Sequence, residues 1–187
     1  MAASELETEQ LLLRRWREED KAPFAAMNAD PAVMEYFPAT LSHAESDALA
    51  DRFQAELDLR GFCPWAVELR ESGSFIGFIG LHGVPESLSF APAVEVGWRL
   101  ARPFWGRGFA TEGANRALFY GFEELGLEEI VSFTSVVNLR SRRVMERLGM
   151  TRRPDDDFDH PQVAEGDLLR PHVLYRLRRD DWRARLA

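Results

Sequence analysis

The sequence contains very little cysteine or lysine and no long apolar segment. Among its 187 residues there is one cysteine, Cys63, so an intrachain disulfide is excluded. Lys21 is the only lysine among 23 basic residues, which argues against the Gly-Lys-Ser/Thr phosphate loop. No run is apolar enough to span a bilayer, and the acidic N-terminal region lacks the basic start of a secretory signal. We therefore expect a cytoplasmic protein without a membrane partner.

Excess positive charge is missing as well. The formal net charge is −8, and this argues against a nucleic-acid partner, because phosphate binding needs a basic surface. Residues 1–90 carry 16 acidic and 7 basic side chains, whereas residues 91–187 carry 15 and 16. The acidic side chains of residues 20–61 and 154–168 favour a cationic partner. At this length we expect a single domain over residues 1–187.

The first half of the chain contains helix signals followed by strand signals. A strand is expected from residue 11, and two short helices should follow, separated near Asp30 and Pro31. Ser42 and Glu45 have the spacing of a capping box, and Gly61 closes that helix. The stripe of this helix expected to be buried comprises Ala44, Ala48, Leu49, Phe53 and Leu57. A period of two then predicts a hairpin from residue 63 to residue 83.

In the second half, strands alternate with helices. Strands are predicted over residues 93–100, 129–137 and 170–179. A helix follows the glycine-containing stretch 102–113, and another begins after Asn138, its expected N-cap. Strands that are grouped first and then joined through helices predict an α+β fold with a mixed sheet and helices on both faces.

The stretch RPFWGRGFATEG, residues 102–113, has the composition of an anion-binding turn. Two glycines let the backbone direct N–H groups toward a phosphate, and the start of the next helix adds free N–H groups. A dinucleotide fold would need a third glycine three residues after the second, but Gly113 comes two residues later than that. The dinucleotide-binding fold and the Gly-Lys-Ser/Thr phosphate loop are therefore both weak alternatives.

Two segments together carry a more specific resemblance. EVGWRLARPFWGRGFATEG, followed after a strand by NLRSRRVMERLGM, resembles the acetyl-CoA-binding core of the GNAT N-acetyltransferases. Within that superfamily the chain is most similar to the ribosomal-protein N-terminal acetyltransferases (RimJ/RimL-like), since NADPAVMEYFP and HVLYRL also fit. The resemblance implies a mostly antiparallel mixed sheet that splays after the 93–100 strand to admit acetyl-CoA. It also implies a monomer or a homodimer.

The resemblance assigns cofactor-binding residues to this chain. The backbone of Leu100, Ala101 and Arg102 is expected to pair with the pantetheine arm as an added strand. The pyrophosphate is expected to lie against the N–H groups from Gly106 to Thr111, with Arg107 adding charge. The complete cofactor set is Leu100, Ala101, Arg102, Gly106, Arg107, Gly108, Phe109, Ala110, Thr111, Asn138 and Ser141.

Transfer of an acetyl group from a thioester to an amine needs a neutral amine, a stabilised oxyanion and a leaving thiolate. Glu95, in the middle of a strand, is the candidate base, acting through water. Many superfamily members have a tyrosine where this chain has Met145, so Ser141 is the remaining candidate donor to the sulfur. Asn138 is expected to hold the acetyl-CoA amides or the substrate, besides capping its helix.

Several alternatives remain open at the level of sequence. His160 and His172 are alternative bases, because histidine titrates in the right range. Glu95 also fits the polar side of an amphipathic strand, and Ser141 also fits an exposed helix position. Cys63 is expected to pack rather than react, and no metal site is expected. The runner-up function is a non-catalytic acyl-CoA-binding sensor or interaction module.

Overall fold

The computed structural model describes residues 5–186, which form two compact units. The first unit contains residues 5–82 and 97–117, and the second contains residues 83–96 and 118–186. The single domain expected over residues 1–187 stays a prediction.

The strands of the first unit are antiparallel. In spatial order they are β1 (Leu6–Glu7), β2 (Leu11–Arg14), β3 (Pro64–Leu69) and β4 (Ser74–Gly83). The last four residues of β5 (Val94–Leu100) also belong to this unit, and Ala101 just after them donates its N–H to the Ile76 carbonyl of β4. β3 and β4 form the hairpin that was predicted between residues 63 and 83.

Helices in the first unit follow from local capping signals. They are α1 (Lys21–Ala29), α2 (His43–Arg60) and most of α3 (Phe109–Phe119), with short 3-10 turns at Glu18–Asp20 and Arg102–Phe104. The Ser42 hydroxyl accepts the Glu45 N–H at the start of α2, and Gly61 ends α2 with φ 78°. The predicted capping box and glycine stop are confirmed.

Two details of this region were predicted wrongly. Residues 31–37 form turns rather than a second helix, because the Asp30 side chain accepts the Ala32 N–H and holds the chain in a turn. On α2, Ala44 and Ala48 are exposed, and the buried positions are Ser46, Ala50, Phe53 and Leu57. Ser46 is buried because its hydroxyl accepts a hydrogen bond from the Asn28 amide, a partner that helical periodicity cannot predict.

The second unit holds the remaining strands around one central pair. The beginning of β5 pairs in parallel with β6 (Glu129–Ser135) at Glu95 and Val131, and β6 pairs antiparallel with β9 (Pro171–Arg178) along its length. The short strands β7 (Thr151–Arg152) and β8 (Phe158–Asp159) also pair with β9. The Ser132 hydroxyl of β6 donates to the Val96 carbonyl of β5.

The second unit also contains helices that the sequence patterns covered only in part. They are a π-helical turn (Tyr120–Glu124), α4 (Leu139–Arg147) and α5 (Arg179–Leu186). α4 begins after Asn138 as predicted, whereas α5 was not predicted. Mixed but mostly antiparallel strand pairing with flanking helices confirms the α+β class.

Candidate functional site

The turn before α3 has the backbone geometry of an anion cradle. Gly106 and Gly108 have φ of 74° and 84°, in the left-handed region that favours glycine. A Cβ atom added at either glycine would meet no heavy atom within 4 Å, so packing does not explain these glycines. α3 begins at Phe109, and the first N–H groups of a helix have no partner within the helix. The turn therefore fits the approach of an anionic group to its backbone.

The side chains around this turn add positive charge and anchor it. Arg107 is exposed, and its guanidinium lies 4.7 Å from the centroid of the Phe109 ring. Phe109 is buried, which fixes the first turn of α3, while Ala110 and Thr111 are half-buried. Arg107 thus has a rigid support on one side and solvent on the other, an arrangement suited to a phosphate oxygen.

Gly113 has a different reason for being glycine. A Cβ atom there would lie 2.5 Å from Cδ1 of Ile79, inside the buried core of the first unit. Close packing of α3 on β4 therefore accounts for this glycine, and no ligand is needed to explain it.

The end of β5 offers fewer free backbone groups than the sequence indicates. The Leu100 carbonyl accepts the indole N–H of Trp105 at 2.7 Å, and the Ala101 N–H donates to Ile76. The Ala101 carbonyl accepts the Phe104 N–H. A pantetheine arm that pairs with the Leu100 carbonyl therefore has to displace or share the Trp105 indole. Arg102 is exposed in the turn that follows.

In the second unit, Glu95 is a carboxyl group in an apolar setting. It is half-buried at its register position opposite Val131, next to a core that includes Leu88, Val131 and Leu174. Burial raises the pKa of Glu95 to about 8. A carboxyl with this pKa exchanges its proton near neutral pH, as a general base must.

Asn138 and Ser141 meet at the start of α4. The Asn138 side-chain oxygen accepts the Ser141 N–H at 3.2 Å, and its amide group donates to the Thr134 hydroxyl at 3.0 Å. Asn138 therefore caps the helix and ties it to β6. Ser141 lies about one helical turn after Asn138 and is half-buried. Met145 is buried on the same helix.

The two alternative bases, His160 and His172, are adjacent. Their rings lie 4.8 Å apart between centroids, and burial lowers the pKa of both imidazoles below the usual value. His172 Nδ1 lies 3.0 Å from the Arg170 carbonyl, so it donates a proton there and leaves Nε2 as an acceptor. His160 Nδ1 accepts the Gln162 N–H, so Nε2 of His160 carries the proton.

Sequence patterns missed the aromatic residues that surround these histidines. Phe90, Phe133 and Phe158 contact one another with centroid distances of 5.1 to 5.8 Å. A cavity of about 330 Å³ adjoins this group, lined by Val136, Asp157, Phe158, Asp159, Pro171 and His172. The alternation of β6 could have placed Phe133 on the inner face, but Phe90 lies in an irregular segment and Phe158 lies in β8, a strand of two residues.

Other candidates do not take part in this chemistry. Cys63 is fully buried, and burial raises the pKa of its thiol, so the reactive thiolate is disfavoured. No helix within residues 5–186 is long and apolar enough to cross a membrane. Over the same residues, no three His, Cys, Asp or Glu side chains are grouped so that they could hold a metal ion.

Comparison with known proteins bears on this geometry. The family model for the acetyltransferase (GNAT) domain matches residues 10–151. The chain is 32% identical to the FsC-acetyl coenzyme A-N(2)-transacetylase of Aspergillus fumigatus, over 83% of this chain and 68% of that protein. It is 31% identical to YdaF of Bacillus subtilis, provisionally named a ribosomal N-acetyltransferase, over 58% of this chain and 61% of the relative. A GNAT-family acetyltransferase structure from Bacillus anthracis superposes with a TM-score of 0.78 at 23% identity, covering 94% of this chain and 99% of that one.

Proposed function

This chain belongs to the acetyltransferase (GNAT) family, and from that premise we propose that it transfers an acetyl group from acetyl-CoA to a primary amine by direct attack on the thioester. The amine is carried by a protein or peptide N-terminus or by a small molecule. The observation that carries the proposal is the pair of left-handed, open glycines at the start of α3.

The residues present fit acetyl-CoA as the donor. The N–H groups from Gly106 to Thr111 would bind the pyrophosphate, and the Arg107 guanidinium would neutralise part of its charge. The A. fumigatus relative is named for its use of acetyl coenzyme A, which supports the same donor here. Acetyl-CoA supplies the activated acyl group, a thioester whose thiolate is a fair leaving group.

The chain's own groups then have distinct tasks. The amine nitrogen attacks the acetyl carbon, and the carbonyl oxygen gains charge that a backbone N–H of β5 can stabilise. Successive N–H groups of a strand point to opposite edges. Because the Ala101 N–H is bonded to Ile76, the N–H of Leu100 points to the other edge and is the candidate donor. Such a donor contributes a rate factor of roughly 10² to 10³.

Two proton transfers accompany this attack. Glu95, acting through water, takes the proton that the nitrogen loses as its bond to carbon forms. The C–S bond breaks, and the departing thiolate takes a proton from Ser141 directly or through water, while solvent returns a proton to the Ser141 oxygen. Asn138 holds Ser141 in place through the helix cap and is available to the acetyl-CoA amides.

Three further proposals concern the branch of the family, the location of the protein and the charge of the acceptor. We propose that the chain is RimJ/RimL-like, because its sequence runs resemble that branch and YdaF is among its relatives. We also propose a cytoplasmic location, consistent with a single cysteine, and an acceptor that is cationic. A monomer and a homodimer are both compatible with the proposal.

The first test is thiol release from acetyl-CoA over a panel of acceptors: peptides with free N-termini, diamines, aminoglycosides and amino acids. Release that depends on one acceptor class would support the proposal and identify the substrate. Coenzyme A binding is measured in parallel by calorimetry. Binding without release from any acceptor would favour the acyl-CoA sensor, and absence of binding would overturn the cradle.

A further inference from the structure

One face of the second unit's strands carries, besides Glu95, two polar residues that the proposed mechanism leaves without a task. Paired residues on neighbouring strands share a face, and alternate residues along a strand share it too. Glu95 pairs with Val131, and Ser135 pairs with His172. Since Val131, Phe133 and Ser135 alternate along β6, all of these residues lie on one face, with Glu95 toward one end and His172 toward the other.

The middle of this face is covered by an aromatic wall, which we define as Phe90, Phe133 and Phe158. The three rings make edge-to-face contacts with one another. His172 extends the wall, with its ring centroid 5.5 Å from that of Phe158. The open space lies at this edge, in the cavity of about 330 Å³.

Hydrogen-bond acceptors predominate among the polar groups that line the cavity. Asp157 and Asp159 both line it, whereas their ion-pair partners Arg152 and Arg170 do not. The Asp159 contact with Arg170 is long, at 3.4 Å, and the Asp159 side chain is 63% exposed. A carboxylate has about four lone-pair directions, so Asp159 retains acceptor capacity for a ligand.

His172 also lines the cavity, and Ser135 lies beside it on the neighbouring strand β6. The Nδ1 proton of His172 is committed to the Arg170 carbonyl, which leaves Nε2 as an unprotonated acceptor. Ser135, opposite His172 in the strand register, is 1% exposed, and its hydroxyl has no hydrogen-bond partner among residues 5–186. A buried hydroxyl without a partner is uncommon and is explained if a ligand or water completes it.

We propose that this cavity binds a second, non-reacting cationic group of the acceptor, through Asp159 and the Nε2 of His172. The inference rests on the proposed acetyl transfer and narrows its substrate: the acceptor is a diamine, or an amine with a second positive group. An ammonium group has three donors and no acceptor, which matches a site made of a carboxylate and a neutral imidazole.

Spacing separates this site from the reacting amine. Val131, opposite Glu95, and Ser135, opposite His172, are four residues apart on β6. At roughly 3.3 Å per residue, the two positions are about 13 Å apart along the strand. One small ammonium cannot occupy both, so an amine that reacts near Glu95 leaves the cavity to another group of the same molecule.

The test compares 1,10-diaminodecane, 10-aminodecanol and decylamine, which share a linker long enough to join the two positions and differ only at the far end. We expect kcat/KM to favour the diamine over decylamine by about tenfold, the effect of one charge-assisted hydrogen bond. Asp159→Asn should abolish most of that preference while leaving kcat/KM for decylamine unchanged, and His172→Phe should abolish the preference as well. His172→Phe retains the ring packing on Phe158, and Asp155→Asn, an exposed acid outside the cavity, is the matched control.

A pH series adds a second readout. The charged or titratable groups around the His172 ring are Asp157, Asp159, His160 and Arg170. Protonation of His172 would place a positive charge beside the bound ammonium. The wild-type preference for the diamine should therefore fall at a pH below the usual histidine range, and it should do so less in His172→Phe.

The outcomes are distinguishable. Equal kcat/KM for all three amines, or a diamine preference that survives both substitutions, would overturn the cation site but leave acetyl transfer intact. Absence of thiol release with every amine, in a folded chain that binds coenzyme A, would overturn the proposed function itself.

Discussion

At the residue scale, Glu95 is the group whose ionisation the fold disfavours most clearly. Burial raises its pKa to about 8, whereas an unfolded glutamate titrates near 4.3. The folded chain therefore keeps a proton that the unfolded chain releases as pH rises between these values. It follows that Glu95 costs stability progressively over this range, and that the cost is absent at pH 4.

The Glu95→Gln variant tests this linkage. Glutamine is neutral at every pH, so the variant should gain stability relative to wild type as pH rises from 4 to 8, and the two should be similar at pH 4. Urea unfolding at both pH values measures the difference. In kinetics with an arylamine acceptor, which is uncharged over this range, wild-type kcat/KM should increase as pH rises through about 8, and Glu95→Gln should lose that increase. A stability difference that is the same at both pH values would show that folding does not raise the pKa of Glu95.

Asn138 combines a structural contact with a proposed role in the reaction, and the two can be separated. Asn138→Ala removes the acceptor for the Ser141 N–H and should lower the free energy of unfolding by about 1 kcal/mol. Asn138→Asp keeps that acceptor and should restore most of the stability. If Asn138 also binds the acetyl-CoA amides, kcat/KM stays low in both variants. Recovery of activity together with stability in Asn138→Asp would assign Asn138 to the cap alone.

At the scale of single elements, the turn before α3 yields the most selective prediction. Gly108→Ala introduces a side chain at φ 84°, where an L-residue is strained by roughly 1–2 kcal/mol, and places a methyl group where the pyrophosphate is proposed to bind. Gly126→Ala introduces the same strain at φ 70°, also in open space, shortly after the π-helical turn that follows α3. We expect both variants to lose similar stability, but only Gly108→Ala to weaken coenzyme A binding, by tenfold or more in calorimetry. Equal binding in the two variants would contradict the cradle.

Elements defined by local chemistry were predictable from the sequence, and those defined by partners were not. Ser42, Glu45 and Gly61 delimit α2 because capping is a contact among residues close in the chain. By contrast, Ser46 is buried through Asn28, 18 residues away, and the Leu100 carbonyl is engaged by an indole that sequence patterns do not orient. The histidine pair and its aromatic wall join residues of β6, β8 and β9 with residues of irregular segments, so the periodicity of a single segment could not indicate them.

At the scale of the whole molecule, charge affects the two proposed substrates differently. A net charge of −8 attracts a cationic acceptor at long range and repels anionic acetyl-CoA. Binding of acetyl-CoA must therefore come from short-range contacts such as those of Gly106–Thr111 and Arg107. The acceptor gains from the general field in addition to its local contacts.

Ionic strength tests this difference. The Debye length is about 30 Å at 0.01 M and about 8 Å at 0.15 M, so added salt removes the long-range attraction and leaves contacts within the site largely intact. The KM of a diamine should rise several-fold over this range. The KM of an arylamine, which is uncharged at neutral pH, should stay constant and serves as the control. If both KM values rise together, salt acts on acetyl-CoA or on the fold, and the acidic surface has no role in attracting the acceptor.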